Sequence, residues 1–338
     1  MYQSGSDGYE GALSSAQKES FFKKGYLVVD EVFNPEVDFA LLLDEYGALL
    51  DELAGEMLVH GDISEYDNAA SFQQRVVDIV RQSGGFPIQA FDISYPQSGI
   101  RPETPIFLGE GAFRLIMHDR LLDVVQSLIG PEITVAPIQH IRLKIPLKMA
   151  SGEQIKGDGT PQVGATTPRH QDIGVQVADA DSARVLTVWA PVTDATEEMG
   201  CLALWPGSHM EGVLKHCPSP GGLYIPGTEI NNRDSVSIPM EAGSILLMDR
   251  HMPHRALPNR SEFVRWSFDL RYQPTGDPNG RPQFPEIVAR SDISPEKEVR
   301  DYKEWAKAWI NARDELCEGS GANELQYNRW QLDAPWCA

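Results

Sequence analysis

Several things are scarce in this chain. Only four cysteines (Cys201, Cys217, Cys317 and Cys337) occur among 338 residues, and none forms a CxxC pair. That excludes a disulfide-dense scaffold and a thiolate metal knuckle, and makes a reducing, cytoplasmic location the default expectation. No run of about 18 apolar residues exists, so no membrane span is expected. The first residues, MYQSGSDGYEGALSS, hold neither a basic nor an apolar leader segment, so no secretory signal is expected. Basic charge is short as well: 29 Lys and Arg face 49 Asp and Glu, a formal net charge of −20. Such a chain repels phosphate backbones, so nucleic acid is not an expected partner, while the charge says little about a small-molecule substrate. Composition fixes no oligomeric state.

What is present has two textures. Residues 1–13 are polar and Gly/Ser-rich and are expected to form a disordered tail, leaving 14–338 as a single domain. Helical signals come first. Ser14 opens a capping box before a short helix to Gly25. The strand-like GYLVVDEVF follows, and Asn34-Pro35 then caps a helix whose Phe39, Leu42, Leu43, Tyr46, Leu49, Leu50 and Leu53 share one face. Further helices are expected at 70–82 and 119–129, separated by a proline-rich surface loop over 83–108. From 131 to about 275 short β-rich runs bounded by Gly, Pro, Asn and Asp take over, and 296–317 returns to helix. This order predicts a mainly β protein with flanking helices, its core an antiparallel sandwich or jelly roll.

The chemistry concentrates in Thr167-Pro168-Arg169-His170-Gln171-Asp172. On an extended strand, residues i and i+2 project to the same side, so His170 and Asp172 can grip one ion. An H-x-D alone is weak, since a surface His beside a solvated Asp is common. A third ligand must come from elsewhere, and His251 and His254 are the rivals. Two histidines and one carboxylate make the facial triad of iron(II) oxygenases. Farther on, Val264, Trp266, Phe268, Leu270 and Tyr272 alternate with Arg265, Ser267, Asp269 and Arg271. If the apolar face packs under the helices, the arginine face lines the interior, where a cation needs an anionic partner. A dicarboxylate held two-pronged by Arg265 would supply one, and an intramolecular Arg–Asp pair is the plainer alternative.

In combination these segments resemble the phytanoyl-CoA dioxygenase-like family of iron(II)/2-oxoglutarate-dependent oxygenases. The resemblance rests on His170-Gln171-Asp172, Trp189, Met199-Gly200-Cys201-Leu202 through Pro206-Gly207-Ser208-His209, and His254 with Asn259, Ser261 and Arg265. It covers roughly residues 18–275. It departs from the family at Met199, where an asparagine is usual, and in the extra length of 151–167. The resemblance implies a double-stranded β-helix (cupin-like jelly roll), with iron(II) held by His170, Asp172 and His254. It also implies 2-oxoglutarate bound through Arg265, with Thr187, Trp189, Ser267 and more distantly Gln139 beside it. O2 would be the oxidant, and an unactivated C–H bond of a small metabolite would be oxidised with release of succinate and CO2. Two other classes remain open: a zinc-type hydrolase using the same His/Asp/His set, and a jelly roll that only binds. The glycine-rich segment 151–167 runs into His170 and is open to two readings, an active-site lid or a surface loop of no consequence.

Overall fold

The computed structural model describes residues 12–96, 99–149, 167–219, 222–230, 234–319, 329–331 and 333–337. The expected tail therefore lies outside the described residues apart from its last two. Of these, Leu13 is packed into the core, with its N–H donating to Ser127 Oγ. The candidate lid likewise lies outside them except for Thr167.

The N-terminal helices follow their capping signals. Helix α1 (Ser15–Lys24) has the reciprocal Ser14–Gln17 box and ends on Gly25 at φ 81°. Strand β1 (Tyr26–Val29) follows. The helix predicted after Asn34 is broken at Phe39 into α2 (Pro35–Asp38) and α3 (Ala40–His60), and the longer piece buries Leu42, Tyr46, Leu50 and Ala54. Helices α4 (Phe72–Ser83), α5 (Glu110–Ile116) and α6 (Asp119–Ile129) complete this half. α5 was not foreseen, because its seven residues are too few to show a period.

The 83–108 stretch corrects the expectation of a surface loop. Phe91, Ile93 and Tyr95 are fully buried, and Phe91 stacks on Tyr46, whose hydroxyl donates to the Phe91 carbonyl. Proline frequency reported irregular backbone correctly but carried no information about burial.

The sheet strands after residue 131 are β2 (Ile133–Val135), β3 (His140–Lys144), β4 (Leu186–Pro191), β5 (Leu202–Leu204), β6 (Cys217–Ser219), β7 (Gly222–Tyr224), β8 (Val236–Ile238), β9 (Ile245–Asp249), β10 (His254–Ala256), β11 (Arg265–Pro274) and β12 (Ile287–Arg290). Among the described residues the large sheet runs β1-β9-β4-β11-β2-β12, with β3 also on β11, and every pairing is antiparallel. A smaller sheet, β10-β5-β8, faces it. The jelly-roll expectation is met, while β1 and β12 extend the sheet beyond the predicted 131–275.

One face of the large sheet is apolar. Val264, Trp266, Phe268, Leu270 and Tyr272 join the buried residues of α3, α4, α6 and helix α7 (Tyr302–Glu318), which contributes Trp305 and Trp309. Burying so many large side chains, at roughly 1.5–3 kcal/mol each, is what fastens the helices to the sheet. The alternation of period two then forces Arg265, Ser267, Asp269 and Arg271 onto the opposite, inner face.

A further finding departs from the reading of the cysteines. Cys217 in β6 is disulfide-bonded to Cys337, across a sequence separation of 120 residues. Spacing cannot reveal a pair that only the packing of the C-terminal segment brings together.

Candidate active site

His170 and His254 meet through the backbone. Each donates its amide N–H to the other's carbonyl, at 3.0 and 2.9 Å, as an isolated antiparallel bridge. Asp172 does not continue a strand, as expected, but begins a short 3-10 turn over 172–175. The same-side placement survives because Gln171 between them is extended, at φ −110° and ψ 145°. Gln171 itself is fully buried. Its side-chain amide donates to the carbonyls of Gly212 (2.8 Å) and His251 (2.6 Å) and accepts from Leu214 N–H (2.8 Å).

The ring nitrogens are directed. His170 Nδ1 lies 2.8 Å from the Pro168 carbonyl and His254 Nδ1 lies 3.0 Å from the Met252 carbonyl. A carbonyl only accepts, so each Nδ1 carries the proton and each Nε2 presents a lone pair. Both Nε2 atoms are 3.9 Å from Asp172 Oδ1, too far for a hydrogen bond. An ion about 2.1 Å from each donor bridges a gap of up to roughly 4.2 Å, so each histidine can share a divalent metal with Asp172 Oδ1. The three side chains form a metal-capable group, their ligand atoms all within 4.8 Å of one another. Burial, and then the neighbouring His254, push the His170 imidazole down to about 3, which keeps it neutral as a ligand must be. The Asp172 carboxyl is raised by burial, but Arg271 and the two histidines outweigh this and hold it well below the usual carboxylate range.

The rival His251 is elsewhere engaged, with Nδ1 3.1 Å from Asp249 Oδ1. His216 is fully buried behind the motif. Its Nε2 accepts from Gln171 N–H, and its ring packs against Trp330, whose indole N–H donates to the Gly174 carbonyl.

A cavity of about 90 Å³ opens beside these three side chains, and Trp189, Leu202, Met248 and Ala256 form part of its apolar wall. Its polar wall is rich in arginine, including Arg142, Arg265 and Arg271. Arg265 is 3% exposed, donates from Nη1 to Ser267 Oγ (2.6 Å) and sits 5.2 Å over the Trp189 ring. It has no acidic partner among the described residues. Burial brings its guanidinium down to about 10, still protonated at neutral pH.

The other expected cosubstrate contacts divide. Trp189 and Ser267 touch Arg265. Thr187 instead donates to Asp172 Oδ2 at 2.5 Å. Gln139 is not among the cavity-lining residues, and its amide donates to the Ile93 carbonyl at 3.3 Å. Two residues were missed. Arg271 Nη2 lies 2.6 Å from Asp172 Oδ1, so the intramolecular Arg–Asp pair weighed for Arg265 is made by its neighbour on the same face. His140 lines the cavity with Nδ1 2.9 Å from Asp92. The period-two alternation that singled out Arg265 applied equally to Arg271. His140 carried no comparable signal.

The phytanoyl-CoA dioxygenase (PhyH) family model matches residues 21–267. The phytanoyl-CoA dioxygenase domain-containing protein 1 of Rattus norvegicus is 25% identical over 274 residues, 76% of this chain and 88% of the relative. The 1-deoxypentalenic acid 11-beta-hydroxylase of Streptomyces arenae is 32% identical over 125 residues, 34% of this chain and 43% of that protein. Among solved structures, the non-haem monooxygenase ThoJ in its apo form shares the fold with a TM-score of 0.57 at 17% identity, covering 88% of this chain and 96% of that one. No helix among the described residues is long and apolar enough to cross a membrane. The chain belongs to the phytanoyl-CoA dioxygenase family of 2-oxoglutarate-dependent non-haem iron oxygenases.

Proposed function

We propose that this protein inserts oxygen into an unactivated C–H bond of a small organic metabolite, with His170, Asp172 and His254 as iron ligands and Arg265 as the anchor of 2-oxoglutarate. Bound iron(II) supplies the redox chemistry, and the overall balance is R–H, 2-oxoglutarate and O2 giving R–OH, succinate and CO2. The observation that carries the reading is Arg265: a buried guanidinium on the cavity wall, without an acidic partner among the described residues. An unmatched buried charge is costly, and a cosubstrate carboxylate accepted two-pronged by the guanidinium removes that cost. Ser267 and Trp189 fix the arginine from the side and from below, so the fork is oriented before the cosubstrate arrives. The apolar wall of Trp189, Leu202, Met248 and Ala256 keeps water from the reacting centre and leaves room for a hydrocarbon portion of the substrate.

A hydrolase would have no use for Arg265, and a binding module would not need three convergent metal donors. Hydroxylation is the favoured outcome, by analogy with the hydroxylase from Streptomyces arenae. A single domain over 14–338, a cytoplasmic location and the absence of a nucleic-acid partner belong to the same reading. The test is to incubate the metal-free protein with iron(II), 2-oxoglutarate and O2 and to measure succinate and CO2. Formation of both, lost in His170→Ala and His254→Ala, supports the reading. No succinate with any candidate metabolite, and none in its absence, would sink it.

A further inference from the structure

The inner face of β11 carries a second buried arginine, which also lines the cavity. Arg271 is 3% exposed, and its Nη2 lies 2.6 Å from Asp172 Oδ1, the oxygen that also faces both histidine Nε2 atoms. Arg271 is itself fixed. Nη1 donates to the Ile138 carbonyl at 2.9 Å, and Nη2 has a second acceptor in Asp269 at 3.2 Å. The other oxygen of the same carboxylate accepts from Thr187 Oγ1 at 2.5 Å. Thr187 and Arg271 stand directly opposite each other in the β4–β11 ladder. One cross-strand pair therefore delivers one donor to each oxygen of Asp172, from the floor of the large sheet.

Asp172 needs such support. It sits in a 3-10 turn and not in a ladder, and rotation about its side-chain bonds would swing Oδ1 away from the histidines. A carboxylate oxygen has two lone pairs, so Oδ1 can accept from Arg271 on one and present the other to an ion. Resting on the assignment of His170, Asp172 and His254 as metal ligands, we propose that Arg271 is the positioning residue for the ligating carboxylate. It orients Asp172 and so sets how tightly the site takes a divalent cation, while Arg265 serves the cosubstrate alone. Two arginines on one strand face thus divide the work, one for each charged component.

Removing an outer partner of a metal ligand typically weakens metal binding 10- to 100-fold. The test is anaerobic titration of the full-length, metal-free protein with iron(II), followed by calorimetry, in the wild type, Arg271→Gln, Arg271→Lys, Thr187→Val, Arg265→Lys and His170→Ala. Arg271→Gln should weaken iron binding about 10- to 100-fold, Arg271→Lys should recover part of that loss, and Thr187→Val should lose on the order of tenfold. At saturating iron, the apparent affinity for 2-oxoglutarate should stay within about twofold of wild type in these variants. Arg265→Lys should show the reverse pattern. An ion pair of purely structural worth would lower the melting temperature without moving iron affinity per folded molecule. If Arg271→Gln does not fold, Arg271→Lys and Thr187→Val carry the comparison. A folded Arg271→Gln, or failing that both substitutes, binding iron as tightly as wild type overturns the role of Arg271. If His170→Ala also keeps its iron, the metal assignment itself fails.

Discussion

His170 and His254 are hydrogen-bonded to each other through their backbones, N–H to carbonyl in both directions. The bridge joins the segment entering the H-Q-D motif to β10, and so welds two of the proposed metal ligands from distant parts of the chain into one rigid pair. Their rings, 4.4 Å apart between centroids, are placed by main chain and not by side-chain contacts. Ligand geometry should therefore tolerate changes in the surrounding loops better than changes in either strand.

The first expectation follows from that pairing. His170→Ala, Asp172→Ala and His254→Ala should each lose iron binding and turnover, because two donors cannot hold the ion against water. His251→Ala should keep most of both, since His251 is tied to Asp249 and lies outside the donor group. Anaerobic iron titration with succinate measurement checks this, and an inactive His251→Ala beside an active His254→Ala would reverse the assignment.

Arg265→Lys retains the charge but loses the planar two-pronged donor. The apparent Michaelis constant for 2-oxoglutarate should rise at least about tenfold, or roughly 1.4 kcal/mol. Steady-state kinetics at saturating iron decide the matter, and unchanged 2-oxoglutarate dependence would leave Arg265 a structural residue only.

Gln171 explains why the middle residue of the motif is an amide. Its side chain satisfies the Gly212 and His251 carbonyls and the Leu214 N–H at once, from a fully buried position. Gln171→Leu strands one buried and two part-buried backbone groups, at about 1–3 kcal/mol for the buried one and less for the others. A loss of at least about 2 kcal/mol is expected in urea unfolding. Stability within about 0.5 kcal/mol of wild type would show that water replaces the amide.

His216 shares the acid sensitivity of the metal-free protein with His170, which is also held neutral by burial. Burial, reinforced by Arg329 and His254 and opposed by the hydrogen bond to Leu214, lowers the His216 imidazole to about 4. The unfolded chain titrates near 6.5. The folded state thus favours the neutral form, so the stability it contributes is complete above about pH 6.5 and is lost as pH falls toward 4. At about 1.4 kcal/mol per unit, this group alone is worth roughly 3 kcal/mol. His216→Gln keeps an acceptor for Gln171 N–H and a donor for Leu214, and should make the stability profile of the metal-free protein less steep between pH 6.5 and 4.5, the slope from His170 remaining. Parallel profiles for variant and wild type would assign the acid sensitivity elsewhere.

What could be read from residues alone, and what could not, divides along physical lines. The α1 capping box, the Asn34-Pro35 start and the alternation of Val264 to Tyr272 are local signals, and each reappears in the structure. The H-x-D pairing was recognisable although its strand geometry was wrong, because only the extended Gln171 is needed to align its neighbours. The partnership of Arg271 with Asp172 and Thr187, the burial of Phe91 through Tyr95, and the Cys217–Cys337 bond depend on contacts between segments far apart in sequence. No periodicity encodes them.

Strand β11 pairs with β4 on one side and with both β2 and β3 on the other, so its register is locked on two flanks at once. An inserted or deleted residue between Arg265 and Arg271 would turn one of the two guanidiniums out of the cavity and into the helix-covered hydrocarbon layer. This decade of residues can therefore accept changes of identity but not of length. Divergent relatives should differ in substrate through loops around a strand of constant length.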